Sequence, residues 1–341
     1  MIAKSTLEKA AEKKLISTQQ IEPLYRFLVN QSTDSATEIS PADNREEPLK
    51  FIRSFGDVFI TLGIILLVIS INMTTLSGYA YLIPAAGFVI IAEWLVRVRK
   101  LALPGIAILI AILFFINKAI AFDHEHATLF GLATLSLSSL LFYLRYKMPF
   151  SLLPLAAGLV AMTIQQIGLN VIEQPVIFVG LGLIIFSIAM WFDSQDTKRE
   201  SHLSDSAFWL HLLAAPLIVH GAMVSMLISD QAWLQSFSKE ILIVMFFIGF
   251  FLIALLVDRR AMLISTQLYV IYALTQLLQD KLSGGQNIMI YILMALGMFV
   301  IFFGTYWYMT RRLIFGFLSD TFISRYIPDL KMQDIRQRNR L

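Results

Sequence analysis

The chain has 341 residues, of which 57% are hydrophobic and only 15% charged, with a formal net charge of +3. Soluble domains usually carry about 25% charged residues, so a water-soluble globule of this size is excluded because it could not cover its own surface. There is no cysteine, which removes disulfides, thiolate metal sites and cysteine nucleophiles from consideration.

The first 50 residues are polar. In "STLEKAAEKKLISTQQIEPLYRFLV", Ser5 with Glu8 and Ser17 with Gln20 have capping-box spacing, in which a hydroxyl and a side chain three residues on satisfy free amides at a helix start. Residues 1–30 therefore read as two short cytoplasmic helices, which either fold as a lid against the bundle or dock a protein partner. Residues 31–50 are acidic and lack apolar periodicity, as a flexible linker does. No cleavable signal peptide is visible, since the first apolar run is already a full span.

Ten apolar runs follow, near 55–73, 79–97, 101–121, 127–145, 149–167, 174–193, 207–229, 240–257, 261–280 and 287–310. About 20 residues at 1.5 Å rise cross a hydrocarbon core of about 30 Å. In lipid the backbone must satisfy itself, and long runs without alternation do so as helices. Short cytoplasmic loops hold the excess of Lys and Arg. With the N-terminus inside, all of the 27 basic residues except Lys118, Lys239 and Lys281 fall on the inner side. The fold class is thus all-α, a polytopic transmembrane bundle of about ten spans with both termini cytoplasmic. Its membrane domain covers 51–312. The tail 313–341 begins with Phe315, Leu318, Phe322 and Tyr326 at helical steps, as an interfacial amphipathic helix would, and ends basic. Because the basic residues sit at span ends and form no contiguous face, nucleic acid is not a partner. The lipid bilayer is one, and the N-terminal helices or the tail could bind protein.

The spans group as five hairpins. Two inner ends are alike: "GLGLIIFSIAMWFDSQDTKR" and "IGFFLIALLVDRR" both pass from a Gly-containing apolar helix to Asp and then to a basic pair. This is helix-end chemistry or the trace of a duplication; no 5 + 5 inverted repeat of the transporter kind is evident. The stretches "EKAAEKKLISTQQIEPLYRFL" and "EEPLKFIRSFGDVFITLGIILLVIS", with the later "SDSAFWLHLLAAPLIVH" and "LLVDRRAMLIS", resemble a bacterial family of polytopic membrane proteins catalogued as a domain of unknown function of the 2157 type. There a short helical segment with a Leu-Ile-Ser-x-Gln turn precedes eight to ten spans. The resemblance implies a multi-pass protein of the bacterial inner membrane and supplies no activity.

Within the spans, His211 and His220 stand out. Nine residues at about 100° each put them on opposite faces of one helix, about 13.5 Å apart along its axis, so they cannot jointly hold one small ion. His211 shares its stripe with the small residues Ala214, Ala215, Ala222 and Ser225, which let a neighbouring helix approach. His220 lies with Leu213, Leu217, Val224 and Leu227. Pro216 removes an amide between them and permits a kink. Asp57, Glu93 and Gln267 fall at a depth similar to that of His211, so these four form a candidate intramembrane polar cluster, with His220 as a second candidate. A His beside a carboxylate can take and give protons near neutral pH. The plainer alternative is interfacial carboxylates and histidines bonded between helices. Gln165, Gln166 and Gln276 either line an aqueous path or glue helices together. The outer turn Asp123 to His126, "DHEH", offers two histidines without a third ligand, so no metal is expected. No cofactor is expected, no catalytic residue is assigned, and no phosphate loop, His-Glu-x-x-His or Gly-x-Ser-x-Gly signature occurs. Three functions stay open: transport or permeation of a small solute or ion, a non-catalytic scaffold or regulatory subunit, and an intramembrane enzyme.

Overall fold

A computed structural model describes residues 7, 11, 17–25, 55–120, 127–168, 174–197, 199, 201–228, 239–279, 285–320 and 327. The chain divides into two compact units, Met1–Glu46 with Ile335–Leu341, and Glu47–Asp334. In the smaller unit, Thr18–Gln20 form a 3-10 turn that continues helically through 21–25. The Ser17 amide donates to Gln20 Oε1 at 2.9 Å and the Gln20 amide to the Ser17 carbonyl at 2.9 Å, which satisfies two donors at this helix start. The expected Ser5–Glu8 box, the 31–50 linker, the 123–126 turn and all of the tail beyond Asp320 except Ile327 lie outside the described residues.

Among the described residues, the larger unit contains ten α-helices. These are α1 (Phe55–Asn72), α2 (Leu82–Ala92), α3 (Ala102–Ile120), α4 (Ala127–Tyr146), α5 (Leu152–Ile167), α6 (Pro175–Gln195), α7 (His202–Ile228), α8 (Lys239–Val257), α9 (Ile264–Gln279) and α10 (Gly285–Phe315). A 3-10 turn, Gly78–Tyr81, leads into α2, and a π-helical stretch, Glu93–Val98, extends it. Among the described residues, nine helical segments are long and apolar enough to cross a membrane, and no strand occurs. The chain is an all-α, multi-pass membrane protein.

One expected span is built differently. The run 261–280 becomes a 3-10 turn, Arg260–Leu263, followed by α9, which has 16 residues and alone rises only about 24 Å. The turn follows the left-handed Asp258 and opens with the Met262 amide donating to the Arg259 carbonyl at 3.1 Å. At about 2 Å per residue the turn adds about 8 Å, so turn and helix together have the reach of a crossing.

The turns at the basic ends share a device. Lys100, Lys147, Arg199 and Asp258, which follow the ends of α2, α4, α6 and α8, all have positive φ, between 52° and 61°. A left-handed residue there reverses the chain and frees the next amide to reach back to the helix. In α8 the Arg259 amide donates to the Ala254 carbonyl at 2.9 Å across Asp258, a Schellman closure made by aspartate where glycine is usual.

Three apolar clusters hold the bundle. Phe88, Ile108, Leu109 and Phe115 centre the first, on α2 and α3. Leu152, Ile185, Ala189, Leu210 and Ala214 join α5, α6 and α7. Met223, Ile243, Leu255 and Trp307 bind α7, α8 and α10. Helices α6 and α7 approach most closely: a Cβ on Gly182 would stand 2.9 Å from the Ile218 amide nitrogen, and one on Gly221 2.7 Å from the Pro175 carbonyl oxygen. That contact is backbone against backbone, and it fixes the hairpin that carries the buried charges. Large apolar side chains such as Phe59, Leu66, Ile301 and Phe302 are exposed and form the lipid-facing surface.

Candidate functional site

The basic end of the α6–α7 hairpin brings a carboxylate and an imidazole together. Asp193, in the last turn of α6, and His211, on α7, are both buried, with His211 Nε2 3.0 Å from Asp193 Oδ2. Arg259, which follows α8, donates through Nη2 to Asp193 Oδ1 at 2.5 Å, and to the Ser204 carbonyl and hydroxyl at 2.9 and 3.2 Å. A carboxylate bonded to a guanidinium offers only acceptor oxygens, so His211 Nε2 carries the hydrogen and donates it. Nδ1 is then left as the basic nitrogen. It is buried and has no hydrogen-bond partner. The Phe186 ring lies edge-on to the imidazole, with centroids 5.1 Å apart.

A second ion pair adjoins the first through Asp258 and Arg259, which are consecutive. Arg199 Nη1 donates to Asp258 Oδ2 at 3.0 Å, and the Trp307 indole donates to Asp258 Oδ1 at 2.6 Å. Arginines also close the end of α8. Its last four carbonyls would be left without intrahelical donors. Ala254 accepts from the Arg259 amide, Leu255 and Leu256 accept from Arg311 Nε and Nη2 at 3.0 and 3.1 Å, and Val257 accepts from Arg199 Nη2 at 3.1 Å. The two guanidinium groups at this helix C-terminus, those of Arg199 and Arg311, also complement its dipole.

Opposite this end, α10 is broken at Tyr306, whose φ of −101° and ψ of 20° are non-helical. Beside the break, Arg260 Nη1 donates to the Gly304 carbonyl at 3.2 Å while its guanidinium lies over the rings of Trp307 and Tyr308, 5.4 and 5.1 Å from their centroids.

Of the residues expected as one cluster, Glu93 and His211 take different partners. Glu93, at the start of the π-helical stretch, is chelated by Arg145 (Nε to Oε1 2.8 Å, Nη2 to Oε2 3.0 Å) and bonded by Arg97 at 3.2 Å and by the Tyr146 hydroxyl at 3.1 Å; it pins α2 to α4. Asp57 is buried in the first turn of α1. Gln267 is half-buried on α9. Of the four, Glu93 and His211 thus belong to separate networks, since Glu93 answers arginines on its own half of the bundle and His211 answers Asp193. His220 Nδ1 lies 2.6 Å from the Tyr269 hydroxyl on α9. Gln165 and Gln166 are exposed, and the Gln276 side chain lies outside the described residues. Among the described residues, no group of three or more His, Asp or Glu side chains is arranged to hold a metal ion.

Asp193, Asp258 and Arg259 escape a reading of candidates based on depth, because residues at the margins of apolar runs count as loop. The signal that could find them is the repeated passage from apolar helix to Asp and basic pair in "MWFDSQDTKR" and "LLVDRRAM". Compared with protein-family models, with curated proteins and with solved structures, the chain has no match.

Proposed function

We propose that this membrane protein moves a small solute or ion and couples that movement to a proton carried by the Asp193–His211 pair. The observation that carries this reading is the imidazole itself: it is buried among membrane-spanning helices, oriented by a carboxylate through one ring nitrogen, and left at the other with a lone pair that no protein donor fills. Placing ionisable groups inside a membrane bundle is costly, and those that persist mark ion and proton paths. A carboxylate-held imidazole is built to accept and return a proton at its free nitrogen. The same reading places the protein in the bacterial inner membrane with α9 and its leading turn as one of ten crossings and both termini in the cytoplasm. The positive-inside bias of the basic residues supports that orientation.

The alternative, a scaffold or regulatory subunit, draws on the arginine closure of α8, which suits a rigid junction. Currents from proteoliposomes on a solid-supported membrane separate the two. Under an inward pH step, pools of small organic anions, cations and neutral solutes are applied in turn. Wild type is expected to give a current with at least one pool, and His211→Gln, folded to the same thermal midpoint, to lose about tenfold or more of it because the accepting nitrogen is gone. Silence of the wild type with every pool, or equal currents from the variant, overturns the coupling.

A further inference from the structure

A second charged surface plays no part in that scheme. The ends of α2 and α4 carry Arg97, Arg99, Lys100, Arg145 and Lys147, all exposed, and one carboxylate, Glu93, shared between Arg97 and Arg145. The two ends form one surface. Glu93 ties them directly, and Gly105 at the start of α3 lets the loops close, since a Cβ there would stand 3.0 Å from the Met148 Sδ and Cε and 3.1 Å from Val96 Cγ2. Lys100 and Lys147 occupy matching left-handed positions just beyond the two helices. Arg99 lies over the Trp94 ring at 5.9 Å and Lys147 over the Tyr143 ring at 5.6 Å. Trp94 is exposed, and exposed Trp and Tyr at span ends mark the headgroup level of a bilayer.

We infer that this surface is a binding site for the phosphate headgroup of an anionic phospholipid. Among the described residues, no carboxylate pairs with Arg99, Lys100 or Lys147, so the surface keeps an excess of positive charge at the depth where lipid phosphates lie. Arginine presents a fork of N–H donors suited to phosphate oxygens and lysine a point charge, and juxtamembrane basic groups draw anionic lipid in proportion to their number. A lipid is favoured over a soluble phosphate ester because the aromatic residues beside the cations give the acyl chains of the same molecule an apolar wall.

The test is native mass spectrometry of the detergent-solubilised full chain titrated with phosphatidylglycerol or phosphatidylcholine, comparing wild type with Arg99→Gln/Lys100→Gln/Lys147→Gln. The triple variant leaves the Glu93 chelate untouched. Its retention of phosphatidylglycerol is expected to fall about 10- to 100-fold, with phosphatidylcholine unchanged. Should that variant fail to fold, Arg99→Gln alone is read in the same way, for a smaller loss. Equal phosphatidylglycerol retention by the variant overturns the inference. So does displacement of the lipid by millimolar glycerol 3-phosphate, which would assign the surface to a soluble phosphate ester.

Discussion

Replacing Arg259 by methionine is expected to destabilise the bundle by about 3–5 kcal/mol, the usual result of leaving a buried charge without its partner. The guanidinium is the main counter-charge to Asp193 and also satisfies the Ser204 carbonyl and hydroxyl. Methionine fills similar space and supplies no donor, so the loss is electrostatic. The double variant Asp193→Leu/Arg259→Met is expected to recover most of it, because an apolar pair of similar volume is often as stable as a buried ion pair. Reversible unfolding in bicelles measures all three. A double variant as unstable as Arg259→Met would mean that the loss comes from Ser204 and His211 Nε2, which the double variant leaves without these partners, and not from the uncompensated charge of Asp193.

Asp258→Ala is expected to destabilise by a similar amount, about 3–5 kcal/mol, since it strips the partner from the buried Arg199 and the acceptor from Trp307 at once. Part of the effect is backbone. Asp258 has φ of 61°, which alanine tolerates poorly, so Asp258→Gly should be about 1 kcal/mol less damaging than Asp258→Ala although it deletes more atoms. Asp258→Asn keeps an oxygen for the Trp307 indole and tolerates the left-handed backbone, so it should be the mildest of the three. The order Asn, Gly, Ala, read from unfolding midpoints, checks that charge and backbone act together at this residue. A ranking in which Gly is worse than Ala would show that the closure of α8 does not depend on its left-handed turn.

The helices are legible in the sequence because lipid allows few solutions: an apolar run of the right length must be a helix, and its ends show in composition. Thus 55–73 is realised as Phe55–Asn72 and 240–257 as Lys239–Val257. The ninth run begins in a 3-10 turn, Arg260–Leu263, which hydropathy cannot see. Arg260 is bound to a carbonyl of another helix, beside a break at Tyr306 which no proline or glycine at that position announces. The partners of the charges were hidden in the same way. Depth along a helix placed Asp57, Glu93, His211 and Gln267 at one level. Which side chains meet is decided by how the hairpins close, and Gly182 and Gly221 set that closure by letting α6 and α7 touch. Once they do, Asp193 lies against His211 and Arg259, while Glu93 is left to Arg145. His211 itself was visible because an imidazole in an apolar helix is rare, whereas Asp193 sat where a carboxylate at a span end attracts no notice.

The claim on which the functional reading turns is that Asp193 holds His211 with its hydrogen on Nε2 and leaves Nδ1 as a bare acceptor. Nitrogen-15 spectra of histidine-labelled protein in lipid bilayers, with the His211 signals identified by their loss in His211→Gln, test it directly. The account predicts a protonated Nε2, an unprotonated Nδ1, and a move of the Nδ1 signal toward the protonated position as the bathing solution is acidified. A hydrogen on Nδ1 with Nε2 bare, or a ring that ignores the bathing pH altogether, would contradict it and leave His211 as a bond between helices.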